Sequence, residues 1–237
     1  MNKQNSFEAY YKAFVTDFGG SVLPEANDVK TADYWFPKYN VLAELKTLSE
    51  DSTLAMDELL KNAVLSWGGD FTKIPIKTDS NGFPYVGQEH IPDEVRKKWT
   101  DKQFQQIERL VKQAQKQIAS TKVRAGLSTA RGVILVSNSG NPYHNNPLSY
   151  REALGALILK RAPAGGRKYP AIDGGVYFSK DLKSREHGAP FWAPFHVEQP
   201  GNPVGAEISS FLLDLRTGWY TYIEKTTGVT VRQHDVD

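Results

Sequence analysis

The chain contains no cysteine. That excludes disulfides, thiolate-held metals, iron–sulfur clusters and a cysteine nucleophile, and it suits a reducing compartment. Long apolar runs are also missing. Stretches such as Gly132–Val136 and Ala153–Leu159 fall far short of the roughly 20 residues that a spanning helix needs. The start, Met1–Ser6, is polar and carries no secretory pattern. A cytoplasmic protein with no membrane partner is the expectation. Excess charge of one sign is absent too: 29 basic against 27 acidic residues leave a net +2. This excludes a histone-like polycation but not nucleic-acid binding, which depends on where the charge sits. There is no Walker motif, no G-x-G-x-x-G and no G-x-S-x-G. His90, His187, His196 and His234 stand at no metal-ligand spacing.

What is present is a chain of 237 residues with an ordinary hydrophobic share, long enough to bury its own core. The expectation is one domain over 1–237, with a loop-rich insertion at about 70–100 and a C-terminal extension from about 180.

Phe7, Tyr10, Tyr11, Phe14 and Phe18 recur at steps of three and four, so Ser6 to Phe18 reads as an amphipathic helix stopped by Gly19-Gly20. Thr31 to Phe36, a turn at Pro37–Asn40, and Val41 to Leu48 read as a strand–turn–strand hairpin. Leu54 to Trp67 reads as a second helix. Residues 70 to 92, punctuated by Pro75, Gly82, Pro84, Gly87 and Pro92, read as irregular. Asp101 to Ser120 is the longest periodic helix, with Phe104, Ile107, Val111, Ala114 and Ile118 in one stripe. Gly132 to Asn138 reads as a buried strand, Leu148 to Lys160 as a helix, Ile172 to Ser179 and Phe191 to Val197 as strands. Ile208 to Leu215 is helical or extended, and Trp219 to Val231 resembles a hairpin around Thr226-Thr227-Gly228. Strands alternating with helices predict an α/β sandwich, and the hairpin makes its sheet mixed rather than purely parallel.

The chemistry concentrates in the hairpin. Side chains alternate along a strand, so Glu44 and Lys46 project to one face between the apolar residues Val41, Leu42, Ala43 and Leu45. Charge in a core strand is costly unless paired or bound to metal. Asp33, on the preceding strand, brings a second carboxylate across the hairpin. Two carboxylates with a backbone carbonyl and water suit a hard cation such as Mg²⁺. The cation would polarise a phosphate and acidify a bound water, and a lysine would neutralise developing charge. The competing reading is an exposed edge strand, with Glu44 and Lys46 solvated and Asp33 capping a turn.

Asp33, ten intervening residues and Glu44-Leu45-Lys46 resemble the D-x(n)-E-x-K signature of the PD-(D/E)XK nuclease superfamily. The element order over residues 6 to 138 resembles that superfamily's core. The resemblance implies a restriction-endonuclease-like fold, a mixed central sheet flanked by helices. It also implies a Mg²⁺- or Mn²⁺-dependent nuclease acting on DNA. Asp33 and Glu44 would hold the metal, the Leu45 carbonyl would contribute, and Lys46 would serve the attacking water. Glu8 matches, in placement, a first-helix glutamate that some members use. Gln113, Lys116 and Gln117 match a later helix residue that reaches the site, with Gln117 best placed to face inward. Ala32 stands where the family often has Pro. By the same analogy a cutter of duplexes would be a homodimer. A non-catalytic relative that binds nucleic acid or a partner protein is the alternative.

Charge is segregated along the chain. Between Val95 and Arg131 there are ten basic residues against Asp101 and Glu108, a local +8 that leaves −6 on the rest. Lys102, Arg109, Lys112 and Lys116 cluster opposite the apolar stripe and are candidate phosphate contacts. The same pattern also describes an ordinary solvated helix face. The loop Asn138–Pro147 follows a core strand, where ligands bind in α/β sheets, so Asn138 and His144 are further candidates for nucleotide contact. Its Asn, Gly and Pro residues equally describe a plain connector.

Overall fold

The fold is taken from a computed structural model, which describes residues 3–24, 30–48, 58, 61–62, 65–66, 70, 76–78, 84–86, 93–138, 147–183, 190–196, 204–228 and 230. Helix α1 (Lys3–Asp17) leads into β1 (Ser21–Val22), β2 (Tyr34–Phe36) and β3 (Val41–Leu48). The short pair β4 (Ile76–Thr78) and β5 (Pro84–Val86) precedes the long helix α2 (Asp93–Arg124). Then come β6 (Arg131–Asn138), α3 (Pro147–Leu159), β7 (Gly174–Lys183), β8 (Pro190–His196) and α4 (Val204–Thr227). Among the described residues the main sheet has six strands, in the order β1-β2-β3-β6-β7-β8. β3, β6 and β7 run parallel, while β1, β2 and β8 are antiparallel to their neighbours. The chain is therefore α/β with a mixed sheet.

The hairpin forms where its residues predict, but its first strand begins at Tyr34 rather than Thr31, which leaves Asp33 just before it. Pro37–Tyr39 makes a single 3₁₀ turn, and Asn40 closes it in the left-handed region at φ 51, ψ 46. Asn tolerates that conformation better than most residues. The register pairs Phe36 with Val41 and Tyr34 with Ala43. One step further along, Asp33 lies opposite Glu44.

Helices cover both faces of the sheet, which explains the unbroken apolar runs of β3 and β6. On one face Val41, Ala43, Leu45, Val133 and Leu135 pack with α1 and α4. Trp219 is fully buried there, with its ring 5.2 Å from Tyr11 and 5.1 Å from Phe14. On the other face Leu42, Leu48, Ile134 and Val136 pack under α2 and α3 through Ile107, Val111, Ile118 and Leu154. Alternation along β3 puts Glu44 and Lys46 on this second face, beneath α2.

Several expectations change. α2 begins at Asp93 rather than Asp101. Pro92 precedes it, and Asp93 and Glu94 in its first turn complement the helix dipole, as Lys122 and Arg124 do in its last. Part of the stretch read as irregular is the antiparallel pair β4–β5. The tail read as a hairpin is the end of α4. Ile208, Phe211, Leu212, Leu215, Trp219 and Ile223 hold helical spacing and are all buried. Gly228, at φ +69, ends the helix as a left-handed cap rather than turning a hairpin. Nor is the region after 180 a mere extension: β8 is an edge of the main sheet and α4 covers its face. Among Leu54 to Trp67, positions 58, 61–62 and 65–66 are helical. The rest of that stretch lies outside the described residues, as do His90, His187, His234 and the loop 139–146 with His144. No helix among the described residues is long and apolar enough to cross a membrane.

Candidate active site

β3 delivers Glu44, Leu45 and Lys46 to the point where β2 leaves it. The backbone N–H of Leu45, deprived of a ladder partner there, donates to Asp33 Oδ2 at 2.8 Å. A strand residue's N–H and C=O point to the same edge, so the Leu45 carbonyl faces the same opening. Asp33 therefore links the two strands and turns its carboxylate toward the E-x-K segment.

Glu44 is 1% exposed. Its Oε1 accepts from Lys46 Nζ at 2.5 Å, while its Oε2 is buried with no hydrogen-bond partner. Lys46 Nζ also donates to Gln117 Oε1 at 2.7 Å. The Gln117 amide nitrogen donates in turn to the Thr31 carbonyl at 3.1 Å. This fixes the amide's orientation: its oxygen meets the ammonium and its nitrogen meets a carbonyl. Gln117 faces inward because Val111, Ala114 and Ile118 turn the same side of α2 to the sheet.

Burial pushes the Glu44 carboxyl up to about 8, and the neighbouring Asp33 charge adds to it against the pull of Lys46 and of the Asp33 backbone N–H, which donates to the same carboxyl. Burial also raises Asp33, against the Leu45 N–H and Lys46, which favour its charge. The charge of Glu8 raises Asp33 further, which puts Glu8 within electrostatic reach of the pair. Glu8 itself is half-exposed on α1 and bridges to Lys12 at 2.9 Å.

A buried carboxylate oxygen outside the hydrogen-bond network is chemically suited to a cation. The donor set is all oxygen: two carboxylates and a carbonyl at one opening. Among the described residues no group of three or more His, Cys, Asp or Glu side chains converges. Mg²⁺ is commonly held by one or two carboxylates with water and substrate phosphate completing its shell, so the residues present fit it and fit Mn²⁺ equally.

Of the residues singled out from the sequence, Asp33, Glu44, Leu45, Lys46 and Gln117 come together. Arg109, Lys112 and Lys116 are exposed along α2, and Lys112 lies 3.5 Å from Glu108. Gln113 is exposed on the same helix. Lys102 sits in α2, with its side chain outside the described residues. Asn138 is different. It ends β6, as the sequence reads, but is 1% exposed and hydrogen-bonds Tyr177. Its side chain is committed inside, not offered to a ligand.

Three residues around the site gave no sequence signal: Thr31, Ser120 and Thr121. They bond through backbone carbonyls or hydroxyls, which leave no periodic trace. Comparisons with protein-family models, curated proteins and solved structures return no match.

Proposed function

We propose that this chain is a metal-dependent nuclease of the PD-(D/E)XK type, hydrolysing phosphodiester bonds in DNA. The observation that carries the reading is the buried, partnerless Oε2 of Glu44, beside a second carboxylate and a lysine on the D-x(n)-E-x-K spacing. The restriction-endonuclease-like fold belongs to the same proposal; the parallel β3–β6–β7 core with an antiparallel β2 hairpin supports it.

Asp33 and Glu44 would hold Mg²⁺ or Mn²⁺, with the Leu45 carbonyl beside them. When bound, the metal supplies Lewis acidity toward the phosphate and acidifies a water. Lys46, held by Glu44 and Gln117, orients the attacking water and neutralises charge growing on the phosphoryl oxygens. Gln117 keeps that ammonium in place. Arg109, Lys112 and Lys116 track the backbone phosphates. Glu8 acts through its field on Asp33.

The test is cleavage of plasmid DNA with Mg²⁺ by the wild type and by Asp33→Ala, Glu44→Ala and Lys46→Ala, with folding checked by circular dichroism. Each variant should lose cleavage by at least about a hundredfold. Wild-type cleavage by Glu44→Ala defeats the reading.

A second reading is favoured by the closed Glu44–Lys46–Gln117 network. A buried pair already satisfied on one oxygen serves a non-catalytic nucleic-acid-binding protein equally well. The two part on metal. A nuclease site stabilises the fold when Mn²⁺ is added, and a closed structural pair does not.

A further inference from the structure

We propose that Thr121 is a positioning residue for Asp33, and that α2 works as a clamp on the segment that carries it. The proposal rests on the reading of Asp33 as a metal-holding residue.

Asp33 does not sit inside a regular strand. β2 begins only at Tyr34, so the residues before it need other partners to hold the carboxylate in place. α2 supplies them from one face. Gln117, Ser120 and Thr121 stand three and four apart and project together. The Gln117 amide nitrogen donates to the Thr31 carbonyl at 3.1 Å. Ser120 Oγ donates to the Lys30 carbonyl at 3.1 Å. Thr121 Oγ1 accepts from the Ala32 backbone N–H at 2.7 Å. Three successive residues, Lys30, Thr31 and Ala32, are thus tied to one helical turn, immediately before Asp33.

Thr121 is the central tie. It is 3% exposed and Ala32 is fully buried, so the bond between them lies away from water. The hydroxyl uses both of its capacities: it accepts from Ala32 and donates to the Gln117 carbonyl at 2.8 Å. Back-bonding to a carbonyl four residues earlier fixes the rotamer that presents the oxygen to Ala32. From the other side, Leu23 N donates to the Asp33 carbonyl at 2.8 Å. The backbone at Asp33 is held on both flanks, and its carboxylate accepts from Leu45.

Valine matches threonine in shape but can neither accept nor donate. Serine keeps the hydroxyl and loses the methyl. The proposal therefore predicts a division between the two. Thr121→Val should release Asp33, so that the Leu45 amide, more than 70 residues away in sequence and bonded to that carboxylate, exchanges faster with deuterium. It should also raise the Mn²⁺ midpoint for thermal stabilisation by about tenfold, the usual effect of losing a supporting hydrogen bond at a metal site. Thr121→Ser should restore both. A general packing role would not make Ser the better substitute.

The experiment measures backbone amide exchange and Mn²⁺-dependent melting on the full chain for wild type, Thr121→Val, Thr121→Ser and Ser120→Ala. Faster Leu45 exchange and a higher midpoint in Thr121→Val, both reversed in Thr121→Ser, support the proposal. Wild-type Leu45 protection in Thr121→Val overturns it, and so does a Thr121→Ser protein as impaired as Thr121→Val. If Thr121→Val does not fold, Ser120→Ala decides: it loses one tie at the helix rim and should loosen Leu45 in the same direction, while unchanged exchange overturns the clamp. If the wild type takes no Mn²⁺, the metal reading fails by itself. The Leu45 exchange still decides whether Thr121 positions Asp33.

Discussion

The carboxylate of Asp33 accepts the backbone N–H of Leu45 at 2.8 Å, at the place where β2 parts from β3. One oxygen of a residue on the site thus completes the sheet's hydrogen bonding, and its charge faces Glu44 and Lys46. Structure and proposed chemistry use the same group, and substitutions can separate them.

Asp33→Asn keeps an acceptor for Leu45 and removes the charge. It should melt within a few degrees of the wild type and lose Mn²⁺-linked stabilisation. Asp33→Ala loses both and leaves the Leu45 N–H without a partner. It should cost about 1–3 kcal/mol, or roughly 2–12 °C in Tm for a chain of this size. Thermal melts with and without Mn²⁺ check both outcomes. Equal metal responses in wild type and Asp33→Asn would remove Asp33 from the metal set.

Stability should fall as pH rises through the neutral range. Burial, then the Asp33 charge, puts the folded-state pKa of Glu44 at about 8, above its ordinary value of 4.5. Between those two values the folded state binds more protons than the unfolded one, so the fold loses stability with rising pH. Asp33, also raised chiefly by burial, acts with the same sign. Glu108 runs the other way. The hydrogen bond from Lys168, then that from Tyr169, holds it at about 2, below its ordinary 4.5. Its contribution is complete above 4.5 and is lost as pH falls toward 2. Melting curves in metal-free buffer from pH 5 to 9 should slope downward, and Glu44→Gln should flatten them. A flat wild-type profile would show that Glu44 does not titrate there.

Gly132 is fixed by close approach. A Cβ at that position would stand 1.8 Å from the Ala171 carbonyl oxygen, a backbone atom with little room to move. Gly132 N also donates to Asp173 Oδ2 at 3.0 Å, which ties the start of β6 to the start of β7. Gly132→Ala should cost about 3 kcal/mol or more, roughly 6–12 °C in Tm. A denaturation midpoint equal to the wild type would show that the strands can part there.

Replacing Arg109, Lys112 and Lys116 together by alanine should weaken DNA binding uniformly across sequences. Each phosphate contact contributes about 0.9 to the slope of log K against log salt on duplex DNA, so the slope should fall by about 2.7 if all three touch phosphate. All three are exposed, so stability should change little. Titrations at several salt concentrations measure the slope. An unchanged slope would show that DNA, if bound, lies elsewhere.

The hairpin was legible because alternation is a local property: Val41 to Leu48 spells its two faces, and Pro37 to Asn40 spells its turn. Gln117 was legible as an inward position because Val111, Ala114 and Ile118 define the buried side of α2. The end of α4 was misread because Thr226-Thr227-Gly228 has the composition of a turn and of a helix cap alike. The burial of Trp219 against Tyr11 and Phe14, some 200 residues earlier in the chain, settles it as helix. Asn138 closes the predicted strand and opens the polar stretch after it, and its burial beside Tyr177 on the neighbouring strand puts its side chain inside.

By itself the sequence determined the α/β class, the hairpin and the positions of Asp33, Glu44 and Lys46, because periods of 2 and 3.6 are written in consecutive residues. Tertiary structure alone decided that Glu44 keeps a buried oxygen without a partner and that Lys46 reaches Gln117. It alone decided that Thr121 holds the backbone beside Asp33. Those are contacts between residues 71 and 89 positions apart, and no local pattern encodes which distant groups a folded sheet and helix bring within hydrogen-bonding distance.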